Sequence, residues 1–183
     1  LYRAKNEHDS CGIGFVANLL GLESHSIIQD GLEMLENLEH RGAVGADKSV
    51  GDGAGILLKI PDKYFRYELK KENIILPDMQ KYGVGMLFYP PKLNLIKKCD
   101  SIINKVLKSF KLELIYKRKV PVNSKILSKK MRQTEPEIRQ LFIKSKKQNI
   151  SSDDLSIKLF IAGKIISKII NKESEKRKLM SVF

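Results

Sequence analysis

The chain has 183 residues, 42% hydrophobic and 30% charged, with 34 Lys and Arg against 21 Asp and Glu for a net charge of +13. That length suits one ordinary domain or a large piece of one, and that apolar content supports a buried core rather than wholesale disorder. Two cysteines, Cys11 and Cys99, are too few for a disulfide scaffold or a cysteine zinc site and fit a reducing compartment; no apolar run approaches the ~20 residues of a membrane span, and no basic-then-apolar secretory signal opens the chain.

Residues 1–10 form a polar tail without periodicity. Residues 11–20 read as a strand: Ile13, Phe15 and Ala17 alternate on one face, and Gly12 and Gly14 mark close backbone approach. A turn over 21–24 leads into a helix from 24 or 26 to 39. Ser26 and Gln29 have capping-box spacing there, and Ile27, Ile28, Gly31, Leu35 and Leu38 make one apolar stripe opposite Glu33, Glu36 and Glu39. Residues 40–55 carry five glycines in sixteen positions and read as loop. A second strand is expected over 56–60, stopped by Pro61, which opens a helical turn through Phe65. A third strand spans 83–89, before Pro90 and Pro91. An amphipathic helix follows over 95–110, with Ile96, Ile103, Val106, Leu107 and Phe110 inward, and then a strand over 112–120. Thr134 with Glu137 predicts a capped helix over 135–143. A polar linker over 144–151 precedes a last helix from 152 to about 170, and the charged residues 171–178 are expected to fray. The order indicates mixed α and β.

The charge is uneven. Residues 1–90 hold 10 basic and 13 acidic residues, net −3; residues 91–183 hold 24 and 8, net +16. A basic half can attract nucleic acid. Most of these cations are Lys, however, aromatics are only 7% and Trp is absent, whereas base recognition favours Arg forks and stacking aromatics. Nucleic acid is not expected as a partner, and a basic nucleic-acid-binding module stands only as an alternative.

The candidate nucleophile is Cys11. A lone cysteine is ordinarily a small buried hydrophobe, yet Cys11 sits where a polar tail meets an apolar segment. Were the tail removed, its own α-amine, with a pKa near ~8, could take the thiol proton. Gly12 and Gly14 would leave room beside it for a substrate. Cys99, between Lys98 and Asp100 on an expected surface helix, lacks such a setting. His8, His25 and His40 are too scattered for a metal site. The glycines from Gly51 to Gly55 lead into β-like residues, not a helix N-terminus, which argues against a phosphate cradle.

Three runs in this order are recognisable: Cys11-Gly12-Ile13-Gly14-Phe15-Val16-Ala17, then Leu38-Glu39-His40-Arg41-Gly42, then Ser49-Val50-Gly51-Asp52-Gly53-Ala54-Gly55-Ile56-Leu57-Leu58. At this spacing they resemble the start of the class II, N-terminal-nucleophile glutamine amidotransferase domain of the glutamate synthases. Weaker similarity continues through Ile60-Pro61-Asp62, Tyr64-Phe65, Tyr82-Gly83-Val84-Gly85-Met86, Val120-Pro121-Val122 with Leu127, and Thr134-Glu135-Pro136. The resemblance covers roughly residues 6–170 and is strongest over 11–65.

The resemblance implies an α+β fold, part of a four-layer α-β-β-α sandwich. It implies a propeptide-like tail over 1–10 and, over 11–183, the incomplete N-terminal portion of the amidotransferase domain. Cys11 matches the nucleophile that attacks the side-chain amide of glutamine, and Gly12 the small residue beside it. Arg41 and Gly42 match a loop near the catalytic strand, and Asp52 and Gly53 the turn into the next strand. Arg41 would favour the thiolate; an ion pair with Glu39 or Asp47 is an equal reading of it. No cofactor is expected in this segment. For the whole protein the resemblance implies FMN, an iron–sulfur cluster, further domains with a 2-oxoglutarate site in cis or trans, and electrons from ferredoxin or an NAD(P)H-linked subunit. It also implies a cytoplasmic or plastid-stromal location. The family's Asn-Gly oxyanion pair has no counterpart, since no Asn-Gly dipeptide occurs. A truncated, inactive fragment is therefore expected for the chain alone.

Overall fold

The computed structural model describes residues 12–38 and 53–175. The chain divides into two compact units, Leu1–Lys59 and Ile60–Phe183. The described elements are helix α1 (His25–Asn37), helix α2 (Asp62–Lys70), strand β1 (Tyr82–Tyr89), helix α3 (Leu93–Ser109), strand β2 (Leu112–Lys119), a 3₁₀ turn (Ser124–Ile126), the one-turn helix α4 (Lys129–Arg132), strand β3 (Glu137–Ser145) and helix α5 (Ser152–Glu175).

The second unit is built on a three-stranded antiparallel sheet of order β1-β3-β2. Phe142 of β3 sits opposite Val84 on one side and Tyr116 on the other, with a register shift between Leu114 and Tyr116. Successive residues of a strand face opposite ways, so Leu141 and Ile143 enter one core and Phe142 the other. The first core joins Leu112, Leu141 and Ile143 to Ile103, Val106 and Leu107 of α3 and to Leu155, Ala162, Ile166 and Ile170 of α5. The last four recur at spacings of seven, four and four, one stripe of a helix. The second core joins Phe142 and Tyr82 to Phe65 and Leu69 of α2 and to Leu76. Phe65 meets Phe142 edge-on at 5.0 Å between ring centroids, a favoured aromatic geometry.

Polar contacts tie α2 to the strands. Asp62 accepts from Arg66 Nε at 2.8 Å and from the Tyr82 hydroxyl at 2.7 Å. Arg66 also donates to the carbonyls of Leu76 and Pro77. Arg118 of β2 donates to Gln140 at 2.9 Å and to Glu68 of α2 at 3.0 Å. At the start of α5, the Ser151 hydroxyl accepts from the Asp154 N–H at 3.0 Å, an N-cap bond, with Asp153 and Asp154 on the favourable end of the helix dipole.

Several expectations are corrected. Residues 135–143 do not form a helix; they enter β3. The segment is the middle strand, with ladders on both sides and apolar cores on both faces, so it carries a continuous apolar run instead of strand alternation. The segments 12–18 and 53–60 belong to no strand and no helix among the described residues. Ile13, Phe15 and Leu57 are exposed there, so the β-like residues find no ladder to join. The capping box of Ser26 and Gln29 is not formed: Ser24 is the N-cap, makes no side-chain cap bond, and its hydroxyl meets that of Ser26 at 2.7 Å. The turn expected over 21–24 lies earlier, across Asn18–Gly21, with the Gly21 N–H bonded to the Asn18 carbonyl and Gly21 at φ 69°. Residues 171–175 remain helical, tied by a Lys98–Glu173 ion pair between α3 and α5. Cys99 lies on the buried side of α3, not on its surface.

Two outcomes follow from this packing. Phe142→Ala should destabilise the chain by about 3–5 kcal/mol in urea unfolding, because it empties a fully enclosed site of the second core. The Asp62 carboxyl is held below its ordinary pKa, first by the Arg66 hydrogen bond and less by that of Tyr82, against partial burial, which raises it. Its contribution is therefore complete above the ordinary carboxylate pKa of about 4 and is lost as pH falls through the lowered folded value. Asp62→Asn should lower stability at neutral pH and flatten the acid limb of the stability–pH curve; an unchanged limb would contradict the assignment.

Candidate active site

Helix α1 organises the described part of the first unit. Gly31, Met34 and Leu38 lie three and four residues apart, on one face. The extended segment that begins at Gly12 runs along that face. A Cβ placed on Gly12 would meet Leu38 Cδ2 at 3.0 Å and Cδ1 at 3.2 Å, and one on Gly14 would meet Met34 Sδ at 1.8 Å. Two residues of extended chain advance about 6.6 Å, and the four helical residues from Leu38 back to Met34 advance about 6 Å. The segment therefore runs antiparallel to α1, with Gly12 at the helix's C-terminal end.

The segment 53–59 follows the same direction. Ile56 Cδ1 lies 3.0 Å from where a Cβ on Gly31 would be, and Lys59 pairs with Glu23, just before the helix, at 2.6 Å. This directs Gly53 towards the C-terminal end of α1. Gly53 has φ 101°, a left-handed conformation that a side chain would strain, as suits a sharp entry into the segment. The Lys59–Glu23 pair is mostly exposed and adds little stability.

Of the residues singled out from the sequence, Gly12 and Gly53 are described. Cys11, His40, Arg41, Gly42 and Asp52 lie outside the described residues. In sequence Cys11 adjoins Gly12 and Asp52 adjoins Gly53, while His40, Arg41 and Gly42 follow two to four residues after Leu38. Gly12 is exposed.

The second cysteine is not suited to attack. Cys99 is buried, and burial, reinforced by Asp100, pushes its thiol pKa up, so it holds its proton. A polar cluster next to it joins the buried Tyr89 hydroxyl and Lys117 to the two oxygens of Asp100. Burial and the bond to Asp100 push the Tyr89 pKa up; the cluster anchors α3 to β1 and β2. Among the described residues no group of three His, Cys, Asp or Glu could hold a metal ion.

Met34 was invisible as a site neighbour in the sequence. It belongs to the Gly31–Leu38 stripe by spacing, and that was the available signal. Its role emerges only from the segment laid across it.

Residues 11–182 match the family model described as class II glutamine amidotransferases. The chain is 41% identical over 175 residues to the glutamate synthase [NADPH] large chain of Bacillus subtilis, covering 96% of this chain and 11% of that protein. It is 36% identical over 169 residues to ferredoxin-dependent glutamate synthase 1 of Arabidopsis thaliana, covering 92% of this chain and 10% of that protein. It is 44% identical over 146 residues to the NADH glutamate synthase of Saccharomyces cerevisiae, covering 76% and 7%. The chain thus spans about a tenth of the length of these relatives. They give no support to a nucleic-acid-binding module or an inactive remnant.

Proposed function

Because this chain belongs to the class II glutamine amidotransferases, we propose that it is the glutaminase part of a glutamate synthase, releasing ammonia from glutamine through a cysteine thioester. The observation that carries the reading is the start of the family match at residue 11, the cysteine itself. Removal of residues 1–10 would make Cys11 the first residue. Its free α-amine, with a pKa of about 8, would then accept the thiol proton. The sulfur attacks the side-chain amide carbon, the C–S bond forms, and the carbonyl electrons move to oxygen. The ammonium of Cys11 returns a proton to the departing nitrogen, ammonia leaves, and water hydrolyses the thioester to glutamate and free thiol.

In this reading Gly12 leaves space for the substrate, Arg41 supports the thiolate by its charge, and Gly42, Asp52 and Gly53 shape the turns around it. The described helices and antiparallel sheet are compatible with part of a four-layer α-β-β-α sandwich. Ammonia would pass to a 2-oxoglutarate site in further synthase domains. FMN and an iron–sulfur cluster would supply the electrons there, from ferredoxin or an NAD(P)H-linked subunit; none of the described residues of this chain is assigned to either group. No described helix is long and apolar enough to cross a membrane, and the relatives include bacterial and plastid enzymes, which agrees with a cytoplasmic or plastid-stromal location.

The test is made on the native full-length protein that carries this chain. N-terminal sequencing should begin at Cys11. Cys11→Ala should lower glutamine-dependent ammonia release by about three orders of magnitude or more, and Cys99→Ala should leave it nearly unchanged. Turnover that survives Cys11→Ala would overturn the reading.

A further inference from the structure

We propose that the outward face of helix α5 is a self-complementary docking surface, on which a second copy of this chain lays its own α5 in the antiparallel sense. The inward stripe of the helix, with Leu155, Ala162, Ile166 and Ile170, is buried in the first core. The opposite side is not polar throughout, as the solvent face of an amphipathic helix ordinarily is. Ile157, Phe160 and Ile161 are 57%, 66% and 41% exposed there, and at spacings of three and four they form one contiguous patch. Lys164 holds its ammonium 5.4 Å from the centre of the Phe160 ring. Exposed Asp153, Lys164 and Lys168 flank the patch and complete a strip about 100° wide along the helix. Asp153 and Lys168 take part in none of the ion pairs among the described residues. The strip is thus acidic at its start, apolar in the middle and basic at its end. A parallel copy would set like charge against like. A two-fold axis crossing the strip between Phe160 and Ile161 instead sets Phe160 against the partner's Ile161, Ile157 against the stem of the partner's Lys164, and Asp153 against the partner's Lys168. Every contact then occurs twice, as an isologous interface requires. The apolar centre supplies the attraction, with the Lys164 methylenes adding to it, and the charges fix direction and register. Six side chains per copy fall well short of the about 20–30 residues on each side of a standard interface, so the contact is weak and concentration-dependent.

The experiment uses the full-length protein that carries this chain, as an equal mixture of ordinary and isotopically heavy copies. A carbodiimide joins a carboxylate directly to an amine where the two are in contact. Along one helix Asp153 and Lys168 stand about 22 Å apart, so a bond between them reports two copies. Peptide mass spectrometry should find that bond with one light and one heavy half at about 100 μM protein, where a contact with a micromolar Kd is mostly formed. Phe160→Ala alters neither joined group and should lower the yield by about fivefold or more, as for an aromatic anchor at the centre of an interface. Exchanging the end charges, Asp153→Lys together with Lys168→Asp, preserves an antiparallel pair and should again join positions 153 and 168. Absence of the mixed-mass product, a yield indifferent to Phe160→Ala, or loss of the product in the exchange variant would each overturn the inference. So would bonds from Lys164 or Lys168 to carboxylates elsewhere in the longer protein in place of Asp153, which would assign this face to another part of that protein. Thermal unfolding reports the folding of each variant; should the exchange unfold the protein, the wild-type and Phe160→Ala yields decide alone.

Discussion

Bare backbone against one helix face is the constraint on which the candidate site depends. Gly12 and Gly14 lie on Leu38 and Met34, and Ile56 lies on Gly31. At Gly14 a side chain would collide with Met34, and at Gly12 and Gly31 it would be tight against Leu38 and Ile56. The face of α1 thereby aligns two extended segments in one direction, without any ladder between them among the described residues. A hydrogen-bonded strand would have fixed its neighbours through its backbone; here steric contact with three helical positions sets the alignment. Such an arrangement tolerates little change at the glycines and more on the exposed sides of the same segments, where Ile13, Phe15 and Leu57 project.

The second unit rests on a different principle. Its middle strand is enclosed by two cores, and its outer strands are tied to helices by ion pairs and hydrogen bonds at their margins. Among the described residues of the cationic second half, Lys98, Lys117, Arg118, Arg139 and Lys144 pair with Glu173, Asp100, Glu68, Glu137 and Glu113. The Lys98 and Lys117 pairs bridge elements, while the Lys144 pair spans neighbouring strands.

Much of this was legible in the residues. The stripes of α1 and α3 and the strands before Pro90 and after Lys111 follow from periodicity and punctuation, with ends displaced by a residue or two; the start of α5 was marked by Ser152-Asp153-Asp154, but the helix runs five residues beyond the expected end near 170. The middle strand was not legible. Leu141, Phe142 and Ile143 are apolar in succession because both faces are covered, and such a run has no strand alternation; Thr134 and Glu137 supplied a misleading capping pattern. Residues 12–20 and 56–60 erred in the other direction. Their composition is β-like, but a strand needs a partner, and pairing is decided elsewhere in the chain. At the candidate site, the cysteine and glycines could be picked out by type and order. The contact between Gly14 and Met34 could not, because Met34 is distant in sequence from Gly14 and looks like ordinary helix core.

The central claim is that the Cys11 thiol works beside its own terminal nitrogen. Its most direct measurement is the pH dependence of Cys11 alkylation with residues 1–10 attached and with them removed. The account predicts that removal raises the rate near neutral pH and adds an inflection near the α-amine pKa of about 8. Superimposable profiles for the two forms would contradict it.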